Sequence, residues 1–294
     1  MKGVKEIRNR IKAVNNTAKI TRAMQLVASS KMRRAQELTV CGRQYMLLLT
    51  KIAEDISRLG NKHLNHPFFE NRKRGSRGII VIGTDRGLCG ALNHNIVKFL
   101  KSEIDDFDTT KFIVVGRKMM NLLSFATFNV ISNFNVSDRT EYHELSKIIN
   151  FVKKSYLEND IDSLDIVFAQ YVNPLVQQPV LYHLLPMLDF KNELEHFRQV
   201  AGVDSDYLSD DIRPTIVEPN IPAVLDVLSQ MFLSQNLYRI VLEAKASEHS
   251  ARMFAMKTAT DNAEALAKSL SLEYNKLRQS AITNEIIEIS AAKN

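Results

Sequence analysis

The sequence predicts a mixed α/β protein: two long terminal helices pair as an antiparallel coiled coil, and a Rossmann-like α/β domain is inserted between them. Three observations predict it. Both ends of the 294-residue chain lack helix breakers: no Gly or Pro lies between Val4 and Cys41, no Gly follows residue 202 and no Pro follows residue 222. Both ends carry apolar residues at helical spacing. The middle alternates short β-branched runs with helical patterns, as a partly parallel sheet requires.

The N-terminal helix is expected over residues 1–60. Val4, Ile7, Ile11, Val14 and Ala18 step by three and four, and the stripe resumes through Met24, Ala28, Met32, Ala35 and Leu38. Tyr45, Leu48, Ile52, Ile56 and Leu59 extend it, giving a heptad-like seam. The C-terminal helix and its lead-in are expected over 209–294. Its stripe begins with Val224, Val227, Met231, Tyr238 and Val241. It then turns small, with Ala251, Ala255, Ala259, Ala263 and Ala267 on one ridge that lets a second axis approach closely. Each helix reaches roughly 80 Å at about 1.5 Å per residue.

Between them, 61–77 reads as a polar, basic linker and 78–208 as the α/β domain. Strands are expected at 79–84, 111–116, 128–131, 164–172 and 180–188, with helices at 91–104, 117–125 and 140–157. Six of the seven prolines fall in 174–222 and mark turns.

The stretch GTDRGLCGALN, residues 83–93, follows the first strand and opens a helix. That context is where phosphate loops occur, but Gly83, Gly87 and Gly90 match neither G-x-x-x-x-G-K-[ST] nor G-x-G-x-x-G. A helix N-terminus still attracts anions. The loop therefore reads as a docking or structural turn, with a phosphate site as the alternative.

Charge is uneven. Residues 1–36 hold ten Lys/Arg against one acid, Glu6, while the whole chain carries +6. Such an arm fits either a solvated helix face or an acidic partner. No apolar run approaches the roughly 18–20 residues of a membrane span. Arg8, Arg10 and Lys12 are compatible with a transit peptide, but the unbroken helical pattern argues against one. Cys41 and Cys89 read as free thiols. His63 and His66 lack the partners of a zinc set, and Asp204, Asp206, Asp210 and Asp211 lack calcium-loop spacing. No nucleophile–base pair is recognisable, so no catalytic, cofactor or metal site is expected.

Four segments, in order, resemble the gamma subunit of the F-type ATP synthase: KITRAMQLVASSKMRRAQ (19–36), GTDRGLCGALN (83–93), SEHSARMFAMKTATDNAEAL (247–266) and YNKLRQSAITNEIIEI (274–289). The resemblance spans the chain and is strongest in the end helices and the Gly loop. It implies a non-catalytic rotor shaft that binds no nucleotide. The terminal helices would turn inside a ring of three alpha and three beta subunits. The middle domain would stand beside the epsilon subunit on the membrane c-ring. Proton-driven rotation would then cycle the beta subunits through their conformations for ATP synthesis. By the same resemblance, Met24, Lys31, Arg33, Arg34, Arg252, Arg278, Gln279, Thr283 and Glu285 would meet the alpha/beta ring. Asp85, Arg86, Gly87, Cys89 and Tyr207 would meet epsilon and the c-ring.

Two features depart from the family pattern: LSDDIRPTIVEPN after Tyr207, and EISAAKN at the C-terminus, which lacks the usual glycine. The absence of an inserted regulatory cysteine pair points to a bacterial form, peripheral at the cytoplasmic face of the inner membrane, with no nucleic acid bound. Two other classes compete: a nucleotide-binding enzyme built on the α/β domain, and a coiled-coil adaptor holding nucleic acid or anionic membrane through the basic helix.

Overall fold

The computed structural model describes residues 2–59, 67–70, 72, 75–104, 106–107, 109–125, 128–187 and 217–291. Helix α1 (Lys2–Leu59) opens the chain. It is followed by a 3-10 turn (Pro67–Phe69), β1 (Arg77–Ile82), α2 (Leu92–Glu103), β2 (Lys111–Val115), α3 (Arg117–Ser124), β3 (Val130–Phe134), α4 (Tyr142–Leu157), β4 (Ser163–Asn173) and β5 (Val176–Leu185). Helix α5 (Ile221–Ala291) closes it. At about 1.5 Å per residue, the 58 residues of α1 match the expected length and the 71 of α5 exceed it.

The strands form one sheet in the order β3-β2-β1-β4-β5. Neighbours are parallel except for β4 and β5, which form an antiparallel hairpin. Asn173 turns that hairpin by accepting the N–H groups of Leu175 and Val176 on its Oδ1. Each parallel connection crosses through a helix, as a doubly wound sheet demands.

Strand alternation sorts the side chains into two cores. Ile79, Val81, Phe112 and Val114 meet α2 and α3 through Leu92, Ile96, Leu100, Met119 and Leu123. Ile80, Ile82, Ile113, Val115 and Ile166 meet α4, and with it parts of α1 and α5. Both faces are covered, which is why the inner strands read as unbroken apolar runs.

The chain divides into two compact units: residues 1–30 with 252–294, and residues 31–251. The boundaries read from sequence set the whole of each long helix apart from the sheet. Residues 31–59 and 221–251 lie in the unit that holds the sheet. In the larger unit the helical stripe differs from the expected one. Tyr45, Leu48, Ile52, Val227 and Met231 are exposed. The expected stripe is buried at Met32, Ala35, Ile56 and Val241, but the buried face also takes in Met46, Leu47 and Leu49 on α1, and Leu225, Leu228, Phe232, Leu233, Leu237 and Ile240 on α5. A heptad seam serves one neighbouring helix; these segments also lie against a sheet and α4, so a different and broader face is buried. Phe68, from the segment read as a polar linker, is also buried there, edge-on to Tyr156.

In the smaller unit Ala267 of the small-residue ridge is buried, while Ala255, Ala259 and Ala263 are half-buried. Ala18 and Thr21 on α1 and Thr260 and Ala267 on α5 are buried. Close approach allows the hydroxyls of Thr21 and Thr260 to hydrogen-bond at 2.7 Å, with Arg22 and Glu264 pairing at 3.6 Å nearby.

Candidate functional site

The loop 83–93 leaves the C-terminal end of β1, between β2 and β4. In doubly wound sheets this crevice, where strand order reverses, holds the ligand. Its backbone is tightly placed. Gly83 donates its N–H to the Val115 carbonyl at 2.9 Å, and Lys118 donates to the Thr84 carbonyl at 2.9 Å. Gly116 has φ +112°, and a Cβ there would stand 2.9 Å from the backbone of Gly83. Thr84 and Asn93 close the loop from inside: Thr84 N–H donates to Asn93 Oδ1 at 3.2 Å, and Asn93 Nδ2 donates to Thr84 Oγ1 at 2.7 Å. Leu88 and Gly90 have φ of 64° and 62°. Leu88 projects outward, 61% exposed.

An internal carboxylate sits where an anion would be held. Asp85 Oδ1 accepts the backbone N–H of Arg117, at the start of α3, at 3.1 Å. Asp85 Oδ2 lies 3.6 Å from the ammonium of Lys245 on α5. The N-terminal field of α3 and a buried lysine thus act on a side chain of the protein itself. This geometry favours the structural turn over the phosphate alternative.

Lys245 belongs to a belt that periodicity did not reveal. Residues 244–251 of α5 are all buried, including Lys245, Ser247, Glu248, His249 and Ser250. A helix buried all round must satisfy its polar groups within the protein. Lys245 pairs with Glu248 at 3.4 Å as well as with Asp85. Ser250 Oγ donates to the Pro174 carbonyl at 3.0 Å, on the β4–β5 turn. Asp138, in the loop after β3, reaches two helices: Lys31 of α1 at 2.5 Å through Oδ2, and His249 of α5 at 3.8 Å through Oδ1. Ser137 braces that loop by donating its N–H and Oγ to Glu144 at 3.0 and 2.9 Å. Burial alone raises the Asp138 pKa; the Lys31 hydrogen bond and the charges of His249, Lys245 and Lys31 outweigh it and hold the carboxyl below its ordinary value.

The residues expected to meet partners occupy different settings. Arg33, Arg34, Arg278, Gln279 and Thr283 are exposed, Met24 is half-buried and Arg252 is buried. Lys31 is half-buried on Asp138. Arg86 is exposed, Gly87 is half-buried, and Cys89 is buried with its Sγ 3.8 Å from Thr84 Oγ1. The side chain of Glu285 and all of Tyr207 lie outside the described residues. Past Leu270, α5 bares Leu272, Leu277, Ile282, Ile286 and Ile287 alongside Arg278, Gln279 and Thr283. Sequence reasoning missed Thr84, Asn93, Asp138 and Lys245; for the first two the signal was two small polar residues bracketing a Gly-rich turn.

No helix among the described residues is long and apolar enough to cross a membrane. A family model described as ATP synthase matches residues 3–294. The chain is 40% identical to the ATP synthase gamma chain of Opitutus terrae, over 100% of this chain and 98% of that one. It is 40% identical to the gamma chain of Bordetella avium, over 98% of each, and 36% identical to that of Akkermansia muciniphila, over 99% and 98%. In fold it resembles a chain of the Euglena gracilis mitochondrial ATP synthase OSCP/F1/c-ring assembly, with TM-score 0.67, 18% identity and coverage of 99% and 93%. A chain of the Tetrahymena thermophila central stalk and c-ring is similar at TM-score 0.58, with 20% identity and coverage of 82% and 99%. On the full-length family match and the gamma-chain relatives, the chain belongs to the ATP synthase gamma family.

Proposed function

We propose that this chain is the central rotor shaft of a proton-translocating ATP synthase, coupling c-ring rotation to conformational cycling of the catalytic beta subunits. The observation that carries this reading is the bare end of α5. A helix that exposes five large aliphatic side chains, beside an ordered polar set, over its last turns is built to run inside a collar of other subunits. The chain itself performs no chemistry; it biases partners that do.

The shaft changes a beta subunit only by interacting differently with its states. Driving a two-state partner from 1:99 to 99:1 takes about 5.5 kcal/mol. Hydrogen bonds to charged groups contribute about 1.5–3 kcal/mol each, so two to four such contacts suffice. The exposed Arg33, Arg34, Arg278, Gln279 and Thr283 supply them, with Met24, Arg252 and Glu285 completing the set facing the alpha/beta ring; Lys31 is engaged by Asp138 of the chain itself and is left out of that set. Polar contacts of this kind release and re-form at each of three positions, which a deep apolar lock would hinder.

The loop with Asp85, Arg86, Gly87 and Cys89, together with Tyr207, would form the foot beside epsilon and the c-ring. The bacterial relatives support a peripheral place at the cytoplasmic face of the inner membrane. Replacing Gln279 and Thr283 with Leu and Val in the assembled complex should lower ATP turnover while leaving the subunit composition intact. Unchanged turnover would remove these two residues from the contact.

A further inference from the structure

We propose that Asp138 is the residue through which the α/β domain grips both long helices, so that torque entering the domain reaches α1 and α5 together. The proposal rests on the rotor reading and adds to it the point of transmission.

Asp138 is placed for this by its loop. Its two carboxylate oxygens face different helices: Oδ2 accepts a hydrogen bond from Lys31 of α1, and Oδ1 lies 3.8 Å from Nε2 of His249 on α5, an ion pair when the imidazole is protonated. A second tie runs parallel to it. Asp85, in the loop after β1, holds Lys245, one helical turn before His249. Both acidic residues therefore sit in loops that follow parallel strands, and their cations lie on the two helices. The crevice that other doubly wound domains devote to a ligand here receives a helix. Within the larger unit, Lys31 is the first residue and His249 lies two before the last. The grip is thus at the ends of the segments that pack with the sheet.

The apolar contacts of this unit resist separation of the helices from the domain, but they are non-directional. They oppose a large rotation of a helix, which would bring its buried face to water, but fix a small angular slip less sharply. The Lys31–Asp138 hydrogen bond, and the longer charge contacts of Asp138 with His249 and of Asp85 with Lys245, are set at a defined azimuth and resist that slip. A carboxylate shared by two helices also forbids one from turning without the other. The side chains of Lys31 and Asp138 are 38% and 31% exposed. Their contribution to stability is therefore modest, and a variant lacking them is expected to assemble.

The test uses the assembled complex, with the ring of alpha and beta subunits immobilised and a bead attached to the α/β domain. Thermal angular fluctuation during the pause between steps reads torsional compliance, and ATP synthesis under a proton gradient reads coupling. Asp138→Ala and Asp138→Asn should widen the fluctuation and lower gradient-driven synthesis by about two- to thirty-fold, the range over which single members of such networks change coupling. Unloaded ATP hydrolysis should stay close to wild type. Lys31→Gln, which spares the His249 contact, should give a smaller change of the same sign. Should the Asp138 variants fail to assemble, Lys31→Gln decides the matter alone. Fluctuation and synthesis indistinguishable from wild type in an assembled variant would overturn the proposal. A wild-type complex whose bead never rotates on ATP would instead overturn the rotor reading on which it rests.

Discussion

Gly83→Ala tests how tightly the loop is tied to the sheet. A Cβ at Gly83 would lie 2.5 Å from Met119 Cβ, 2.7 Å from its Cε and 2.9 Å from its Cγ. Carbon atoms pack best at about 3.5–4.0 Å, so the closest contact is short by about 1 Å or more. The Met119 tail can swing away, but its Cβ is fixed to the backbone of α3. Relief therefore requires α3 to move from the loop that it is bonded to through Lys118 N–H and Arg117 N–H. Overpacking costs about 1–3 kcal/mol, and one lost hydrogen bond adds about 1 kcal/mol. The total is about 2–4 kcal/mol, which lowers Tm by about 4–16 °C at the 2–4 °C per kcal/mol typical of larger chains. Thermal unfolding followed by circular dichroism reads the change. The same substitution on a Met119→Ala background should remain harmful, because the 2.5 Å contact is with the Cβ that alanine retains. A Gly83→Ala protein melting within about 2 °C of wild type would refute the reasoning.

Three further outcomes follow from the same geometry. Lys245→Met removes the cation between Asp85 and Glu248; at an effective dielectric near 20 each pair is worth about 5 kcal/mol in Coulomb energy, and removing one buried partner costs about 3–5 kcal/mol net, measurable by urea unfolding. Asp138 titrates below its ordinary value of 3.8 in the folded chain, so its contribution to stability is present above that pH and is lost as pH falls through the folded pKa; Asp138→Asn should flatten this acid limb in a stability–pH series. Tyr156→Phe should leave stability unchanged or raise it by up to about 1 kcal/mol, read as an unchanged or higher Tm, since the hydroxyl is buried with no hydrogen-bond partner among the described residues while the ring contacts to Phe68 and Arg72 remain. Burial, together with Glu70 and Asp162 and against Arg72, raises the Tyr156 pKa above 10.0. Its contribution therefore holds below pH 10 and is lost as pH climbs through the folded pKa, and the phenylalanine variant should lack that alkaline loss.

The architecture was legible where one physical signal dominated. Breaker-free ends gave long helices, and the alanine ridge gave close approach of two axes, seen at Thr21 and Thr260. The inner strands β1, β2 and β4 fall near their expected places because strands covered on both faces need continuous apolar runs; the edge strands β3 and β5, only partly buried, are displaced from theirs, at 130–134 and 176–185. The seam was misjudged wherever a helix has more than one neighbour: Leu48 and Ile52 continue a tidy heptad and face outward, while Met46, Leu47 and Leu49 break it and are buried. The polar belt at 244–251 was illegible for the same reason. Periodicity assigns Lys245, Glu248 and His249 to a wet face, and only the surrounding loops and hairpin remove that face from water. Asp138 was invisible because its partners lie more than 100 residues away in each direction. The glycine spacing of the loop 83–93 matches no standard phosphate site; what fills the crevice, Asp85 with Lys245, comes from residues far apart in the chain.

As a rotor shaft, this chain carries rotation between a membrane ring and a catalytic head. ATP-driven proton pumping into inverted membrane vesicles tests it most directly. Stripping the chain from the complex should abolish pumping while the head retains residual ATP hydrolysis, and adding the purified chain back with epsilon should restore it. Pumping that persists at the wild-type rate without the chain would contradict the account.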